Sequence, residues 1–471
     1  MRKLLYIWIV LLGFSASIHA QFDPFQYIVL VNPAADPASI TAVRSSLNST
    51  RVSGAGCSQF GIEVWEVAGY PYTDNGVSIT DIDGTIGNAS GKTVIDGVGF
   101  SFDTDIIRGI PEDISCASGL SSLPVNGCET VIIAYCDTGI AKYNNLSSIQ
   151  VPLPITTYGG YDYVNMDADP SDDNGHGTHI TSASIMAMNQ SSNCITNNFE
   201  YLFYKTQAAD GTGSLSDLIT AICEAHTQKA DIINLSLSYP GSVYQTEFDA
   251  LSYIIDRVTE AGTAVIAAAG NDSYDNDQPI AYLPASLPHD QISVGSLDCN
   301  DNLSTFSNFG DRVHVATRGE GIRGYDIDYS SMVSQSGTSQ ATAIATAMSA
   351  LILSKPSINP TPANLKCALV TSSTPVQSLN DLVLSDGKIN PVEALMALGN
   401  GTCTLPCITD LDLGANTIPT DLYKAAETLH SENLILDDKL IRYEAGSFIN
   451  LGLEFEVEQG ATFLASITPC Q

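Results

Sequence analysis

The chain has 471 residues, with 52 acidic and 19 basic side chains and a formal charge of −33 at pH 7. A field of that sign repels phosphate backbones and anionic lipid, which excludes nucleic-acid and anionic-membrane binding. Charged residues make up only 15% of the chain against 44% hydrophobic, with 37 Gly and 21 Pro, so a packed, loop-rich globule is indicated and not a disordered acidic tail.

The first twenty residues set the compartment. Arg2 and Lys3 precede the apolar run Leu4–Phe14, and Ser17-Ile18-His19-Ala20 follows before Gln21. This is the pattern of a secretory signal peptide over residues 1–20, which places the protein outside the cell or on its surface. The run is too short to span a bilayer, and no membrane span is expected further on. Export permits disulfides among the eleven cysteines, and the odd count leaves at least one thiol. Cys116 with Cys128, and Cys403 with Cys407 or Cys470, are candidate local bridges. Cys136, Cys223 and Cys367 lie in apolar, regular segments and read as buried hydrophobes.

Residues 21–105 begin with a strand at Tyr27–Val31, a helix at Pro37–Leu47 and a strand at Ile62–Val67, a small α+β unit. From about residue 106 to 400 the pattern alternates strand and helix. Strand-like runs are Thr130–Tyr135, Tyr201–Tyr204, Ile232–Leu237, Ala264–Ala268, Ile292–Val294 and Val313–Ala316. Most are apolar on successive residues, as strands buried on both faces of a parallel sheet require. Helices are predicted at Ile180–Met188, Ser214–Ala230, Val243–Glu260, Thr338–Ser354, Thr361–Val370 and Pro391–Leu398, with Ser214 and Asp217 in a capping-box arrangement. The fold class is α/β, doubly wound on a mainly parallel sheet.

Three polar features stand out. Asp137-Thr138-Gly139 ends a buried strand, at the sheet edge where ligands and chemistry gather in open α/β folds. His176-Gly-Thr-His179 opens a helix. Ser339, in Gly337-Thr338-Ser339-Gln340-Ala341, sits in the first turn of a helix of small residues, near free amides and the positive end of the helix dipole. Asp, His and Ser in this chain order are the parts of a nucleophilic triad. Taken singly, Asp137 and His176 could be a turn residue and a structural histidine, and Ser339 a helix cap. His179, turned away by the helix, reads as packing.

These motifs resemble the signatures of the subtilisin-like serine proteases, the subtilases. Ala267-Ala-Ala-Gly-Asn271 is similar to the family segment whose Asn completes the oxyanion hole. The resemblance covers roughly residues 125–398, taking in Asp210-Gly-Thr-Gly213, Asn234-Leu-Ser-Leu237, Phe306-Ser-Asn-Phe-Gly310 and Gly387-Lys-Ile-Asn390. It implies a secreted serine endopeptidase made as a zymogen. Ser339 would attack the peptide carbonyl, His176 would carry the proton, and Asp137 would orient the imidazole. Asn271 and the Ser339 amide would hold the oxyanion. Gly211, Thr212 and Gly213 on one edge, and Ser236, Leu237 and Ser238 on the other, would clamp an extended polypeptide substrate. Residues 21–105 would be a prodomain, the enzyme's own first partner. The alternative is a catalytically silent subtilase fold used for binding or adhesion. An esterase is opposed by the lack of a GxSxG elbow.

The sequence departs from the family pattern at Ser182 for Gly, at Ala343 for Pro, and at Ser238-Tyr239 for a Gly pair, the last bearing on the specificity pocket. The acidic stretch Asp162–Asp173 resembles a calcium loop of some subtilases, with Asp162, Asn165, Asp167 and Asp169 as ligands; the other reading is a solvated acidic turn. After residue 400 the rhythm changes to short strands broken at Ala445-Gly446, Leu451-Gly452 and Gln459-Gly460. Residues 401–471 thus form a small all-β module, similar to attachment or sorting modules of secreted bacterial proteins.

Overall fold

The computed structural model describes residues 26–30, 37–46, 49–67, 93–96, 100–101, 128–146, 153–191, 198–240, 245–278, 282–287, 289–356 and 358–400, with short strands between 410 and 467. The signal-peptide segment lies outside these residues, as do Cys116, Cys403, Cys407 and Cys470.

Apolar runs build the centre. The strands β1 (Gln26–Leu30), β2 (Ser49–Cys57), β3 (Ile62–Val67), β4 (Thr93–Asp96) and β5 (Phe100–Ser101) precede β6 (Val131–Asp137) and β7 (Tyr158–Asp162). Then come β8 (Phe199–Lys205), β9 (Thr212–Gly213), β10 (Ile232–Leu235), β11 (Tyr239–Pro240), β12 (Ala264–Ala268), β13 (Tyr282–Leu283), β14 (Ile292–Leu297) and β15 (Val315–Arg318). A hairpin follows, β16 (Ile322–Tyr325) with β17 (Met332–Gln335), and then β18 (Thr374–Pro375) and β19 (Gly387–Lys388). Nine of these form one sheet in the order β18-β19-β15-β14-β12-β10-β6-β8-β7, parallel except where β18 meets β19. The order runs outward from β6 through β8 on one side and through β10 on the other, so the carboxyl end of β6 is a topological switch point.

Seven described helices wind the chain: α1 (Pro37–Ser46), α2 (His176–Ser191), α3 (Leu215–Thr227), α4 (Gln245–Glu260), α5 (Thr338–Leu353), α6 (Pro362–Thr371) and α7 (Pro391–Asn400). Successive β6 residues face opposite layers. Ile133 and Tyr135 pack with Ile180 of α2 and Ile344 and Met348 of α5, while Ala134 and Cys136 pack with Leu218 and Ile222 of α3 and Ile254 of α4. The sheet is therefore buried on both faces, as the unbroken apolar runs predict. Ser214 caps α3 by accepting the Asp217 amide at 3.1 Å, the expected capping pair. Ala343 leaves α5 an unbroken helix, buried along nearly its whole length among small side chains.

The amino-terminal strands make a separate antiparallel sheet, order β2-β3-β1-β4, beside α1. Two readings of the cysteines need correction. Cys223 is not a buried thiol but is bonded to Cys57, 166 residues away, and Cys367 is also disulfide-bonded. Cys128 and Cys299 are bonded as well, whereas Cys136 is a free, buried thiol. Near the carboxyl end, short strands pair parallel in stacked coils. Leu422 stands opposite Arg442, and Thr428 opposite Phe448. No helix among the described residues is long and apolar enough to cross a membrane.

Candidate active site

Asp137 is the last residue of β6, and the chain must turn sharply there to clear the sheet. Gly139 lies at φ +106°, and a Cβ on it would stand 2.4 Å from the Pro170 carbonyl oxygen. The first turn of α2 then closes onto this corner. A Cβ on Gly177 would stand 2.2 Å from the Gly139 oxygen, so the glycines of both motifs permit the approach. The result sets His176 Nδ1 2.8 Å from Asp137 Oδ1, the N–H donating to the carboxylate, which also accepts the Thr138 amide at 2.7 Å. Both side chains are 1% exposed.

Ser339 enters from α5 and is 0% exposed. Its hydroxyl donates to the Ser236 carbonyl at 2.9 Å, where the chain leaves β10, and the Ser236 hydroxyl donates back to the Ser339 carbonyl at 3.0 Å. Asn271 follows β12. Its Oδ1 accepts the Thr338 amide at 2.9 Å, while its Nδ2 has no protein partner, leaving two donors for an incoming oxygen. The loop carrying it is braced by Asn308, whose Oδ1 accepts the Asp272 and Tyr274 amides and whose Nδ2 donates to the Ala269 carbonyl.

The two expected substrate edges lie as follows. Asp210 Oδ1 accepts the amide and hydroxyl of Thr212, with Gly211 at φ +83° completing the turn into β9. The hydrogen bond from the Thr212 hydroxyl holds the Asp210 carboxyl below its usual range. Leu237 and Ser238 are buried, and Tyr239 is taken into the β11–β13 ribbon opposite Leu283. His179 packs as expected, buried with Nε2 3.2 Å from the Ile322 carbonyl and its ring against Gly324. Ser182 accepts the Tyr325 amide at 2.7 Å, tying α2 to the hairpin in a way glycine could not.

Asp172, which the motifs alone do not single out, braces the two motif segments against each other. Its Oδ1 accepts the Thr138 hydroxyl at 2.8 Å and the Asn174 and Gly175 amides, and its Oδ2 accepts the Thr178 amide at 2.9 Å. It joins the corner after Asp137 to the first turn of α2, capping the helix that carries His176. An acidic residue a few positions before a helix start was the available signal. Lys205, buried at the end of β8, donates to the Thr138 carbonyl at 3.0 Å and pairs with Asp173.

The calcium ligand set does not fit together in this geometry. Asp162 spends both oxygens on Asn165, at 2.8 and 2.9 Å, while Asp167 accepts the Asp169 amide and Asp169 accepts from Ser171 and Asn144. Among the described residues no group of three or more His, Cys, Asp or Glu side chains is placed to hold a metal ion. A hard cation takes six to eight oxygens, and these are turned to hydrogen bonds within the loop.

A carboxylate, an imidazole and a helix-borne hydroxyl at the carboxyl edge of a parallel sheet, beside an amide donor, are the side-chain types that nucleophilic hydrolases use. The chain belongs to the subtilase family, whose model matches residues 129–398. It is 34% identical over 198 residues to the thermophilic serine proteinase of Bacillus sp. strain AK1, covering 42% of this chain and 47% of that one. It is 30% identical over 286 residues to the minor extracellular protease Epr of Bacillus subtilis strain 168, covering 60% of this chain and 40% of that one. It thus spans about half or less of the length of these curated relatives. Among solved structures, the epidermin leader peptide processing serine protease of Staphylococcus aureus superposes with a TM-score of 0.59 at 18% identity, covering 81% of this chain and 99% of that one. That likeness concerns the fold.

Proposed function

We propose that this protein is an exported serine endopeptidase, made as a zymogen, that hydrolyses peptide bonds through an acyl-enzyme. The observation that carries the reading is the 2.8 Å contact between His176 Nδ1 and Asp137, with Ser339 and the Asn271 amide brought to the same sheet edge. Asp137 fixes the imidazole with Nδ1 protonated, so Nε2 is the basic nitrogen. Ser339 Oγ adds to the substrate carbonyl as its proton passes to Nε2. The tetrahedral oxyanion is held by Asn271 Nδ2 and the Ser339 amide. The amine leaves with the proton from Nε2, and water repeats the sequence to free the acid.

An extended polypeptide would lie against Gly211–Gly213 and Ser236–Ser238 and bond through its backbone, which suits many sequences. The antiparallel pairing of β5 with β9, Phe100 opposite Gly213, supports residues 21–105 as a prodomain, since a substrate strand would use the same edge. Export is supported by the disulfides and by the extracellular description of the Epr relative. The carboxyl-terminal coils would serve attachment. Casein hydrolysis by wild type and Ser339→Ala tests the reading: a loss of at least about 10³-fold in the variant is expected. Equal rates would overturn it.

A further inference from the structure

We propose that the amino-terminal domain is a lasting, covalently held partner of the catalytic domain, retained on the α3–α4 face after the chain between them is cut. The inference concerns what becomes of the prodomain, and so rests on the peptidase reading for its consequence, though not for its chemistry. Cys57 ends β2 and Cys223 lies in α3; their sulfurs are bonded, with Cα atoms 5.4 Å apart. Any peptide bond between residues 102 and 127 lies between the two cysteines in sequence. Its hydrolysis consumes one water, leaves a carboxylate and an amine, and does not touch the disulfide. Separation then needs two electrons and two protons from a thiol reductant, which is itself oxidised to a disulfide.

The bond sits within a built interface. The Gly56 amide donates to Thr220 Oγ1 at 2.8 Å, and the Tyr253 hydroxyl donates to the Phe60 carbonyl at 3.0 Å. Gln59 Nε2 donates to Thr227 at 3.3 Å, and the Phe60 ring lies 5.7 Å from that of His226. Cys57 and Ile62 are buried in one apolar cluster with Leu218, Ile222 and Ile254. From this docked sheet the chain reaches the β9 edge as β5, and the nucleophile in this state is fully buried. A domain held only by such contacts leaves on dilution. A tethered one keeps an effective concentration on the order of millimolar whatever the protein concentration, so the site stays under its control.

The test is a full-length protein carrying a specific protease site after Arg108, made with and without Cys57→Ser, and with Ser339→Ala so that the added protease makes the cut. Intact mass under denaturing conditions without reductant is expected to show one species, the mass of the uncut chain plus one water, that dithiothreitol splits in two. Two separate pieces without reductant would overturn the proposal. The Cys57→Ser protein should separate without reductant; should it fail to fold, the masses from the native-cysteine protein decide alone. With Ser339 present, specific peptidase activity of the cut protein should stay constant from micromolar to nanomolar. It should rise about tenfold or more on dilution after reduction. Retained mass with no activity in any arm sinks the peptidase reading and leaves the tether. Separated masses with activity sink the tether and leave the peptidase.

Discussion

Ser236 and Ser339 exchange hydrogen bonds, each hydroxyl donating to the other's carbonyl, at 3.0 and 2.9 Å. The pair pins the first turn of α5 to the end of β10, and Asn234 Oδ1 is a second acceptor for Ser236 at 3.0 Å. A hydroxyl has one proton, so in the proposed mechanism its passage to His176 would end the Ser339 bond to Ser236. Ser236→Ala removes the return bond without touching a reacting atom. One neutral hydrogen bond is worth about 0.5–1.5 kcal/mol, so turnover is expected to fall about 2–10-fold with KM little changed. Steady-state kinetics on a peptide substrate checks the split.

Asn271→Ala removes the side-chain donor whose Oδ1 is anchored on the Thr338 amide. Turnover is expected to fall about 10²–10³-fold, the loss that follows when subtilisin itself is stripped of its side-chain oxyanion donor. KM should stay close to wild type, because the oxyanion exists only in the transition state and intermediate.

Asp172→Ala strips an acceptor from the Thr138 hydroxyl and from the Asn174, Gly175 and Thr178 amides. Buried donors left without a partner cost more than a net hydrogen bond. A destabilisation of about 2–4 kcal/mol is expected by urea unfolding, together with lower activity as His176 loses its seat.

Acid should unfold the protein through its buried histidines. Burial, then the neighbouring His176, lowers the His179 pKa to about 3, and burial holds His314 well below its usual value. The unfolded chain binds these protons near pH 6.5, so it binds more protons than the folded state between about pH 6.5 and 3. Stability is fully present above that window and is lost as pH falls through it. Urea midpoints at pH 7 and 4.5 should differ, and His179→Gln, if it folds, should shrink the difference.

The sheet was legible wherever both faces are buried. Ala264–Ala268 reads as a strand end to end because every residue is apolar. β7 was not legible: Tyr-Gly-Gly-Tyr-Asp has little strand propensity, and only its backbone register with β8 makes it a strand. β2 was missed for the same reason, with Gly54 and Gly56 at positive φ and a register irregularity against β3. Asp137, His176 and Ser339 stand where their motifs put them, each at the end or start of an element. Cys223 could not. Its helical face is apolar, and no local pattern reveals a partner 166 residues away. For the acidic loop, carboxylate spacing does not say whether the oxygens face a common point or their own backbone.

The most direct measurement is fluorophosphonate labelling of the linker-cut, thiol-reduced protein, with the site mapped by peptide mass. One label per molecule on Ser339, absent from Ser339→Ala, is predicted. No label on wild type, label on another serine, or equal labelling of the variant would contradict the assignment of Ser339 as the nucleophile served by His176 and Asp137.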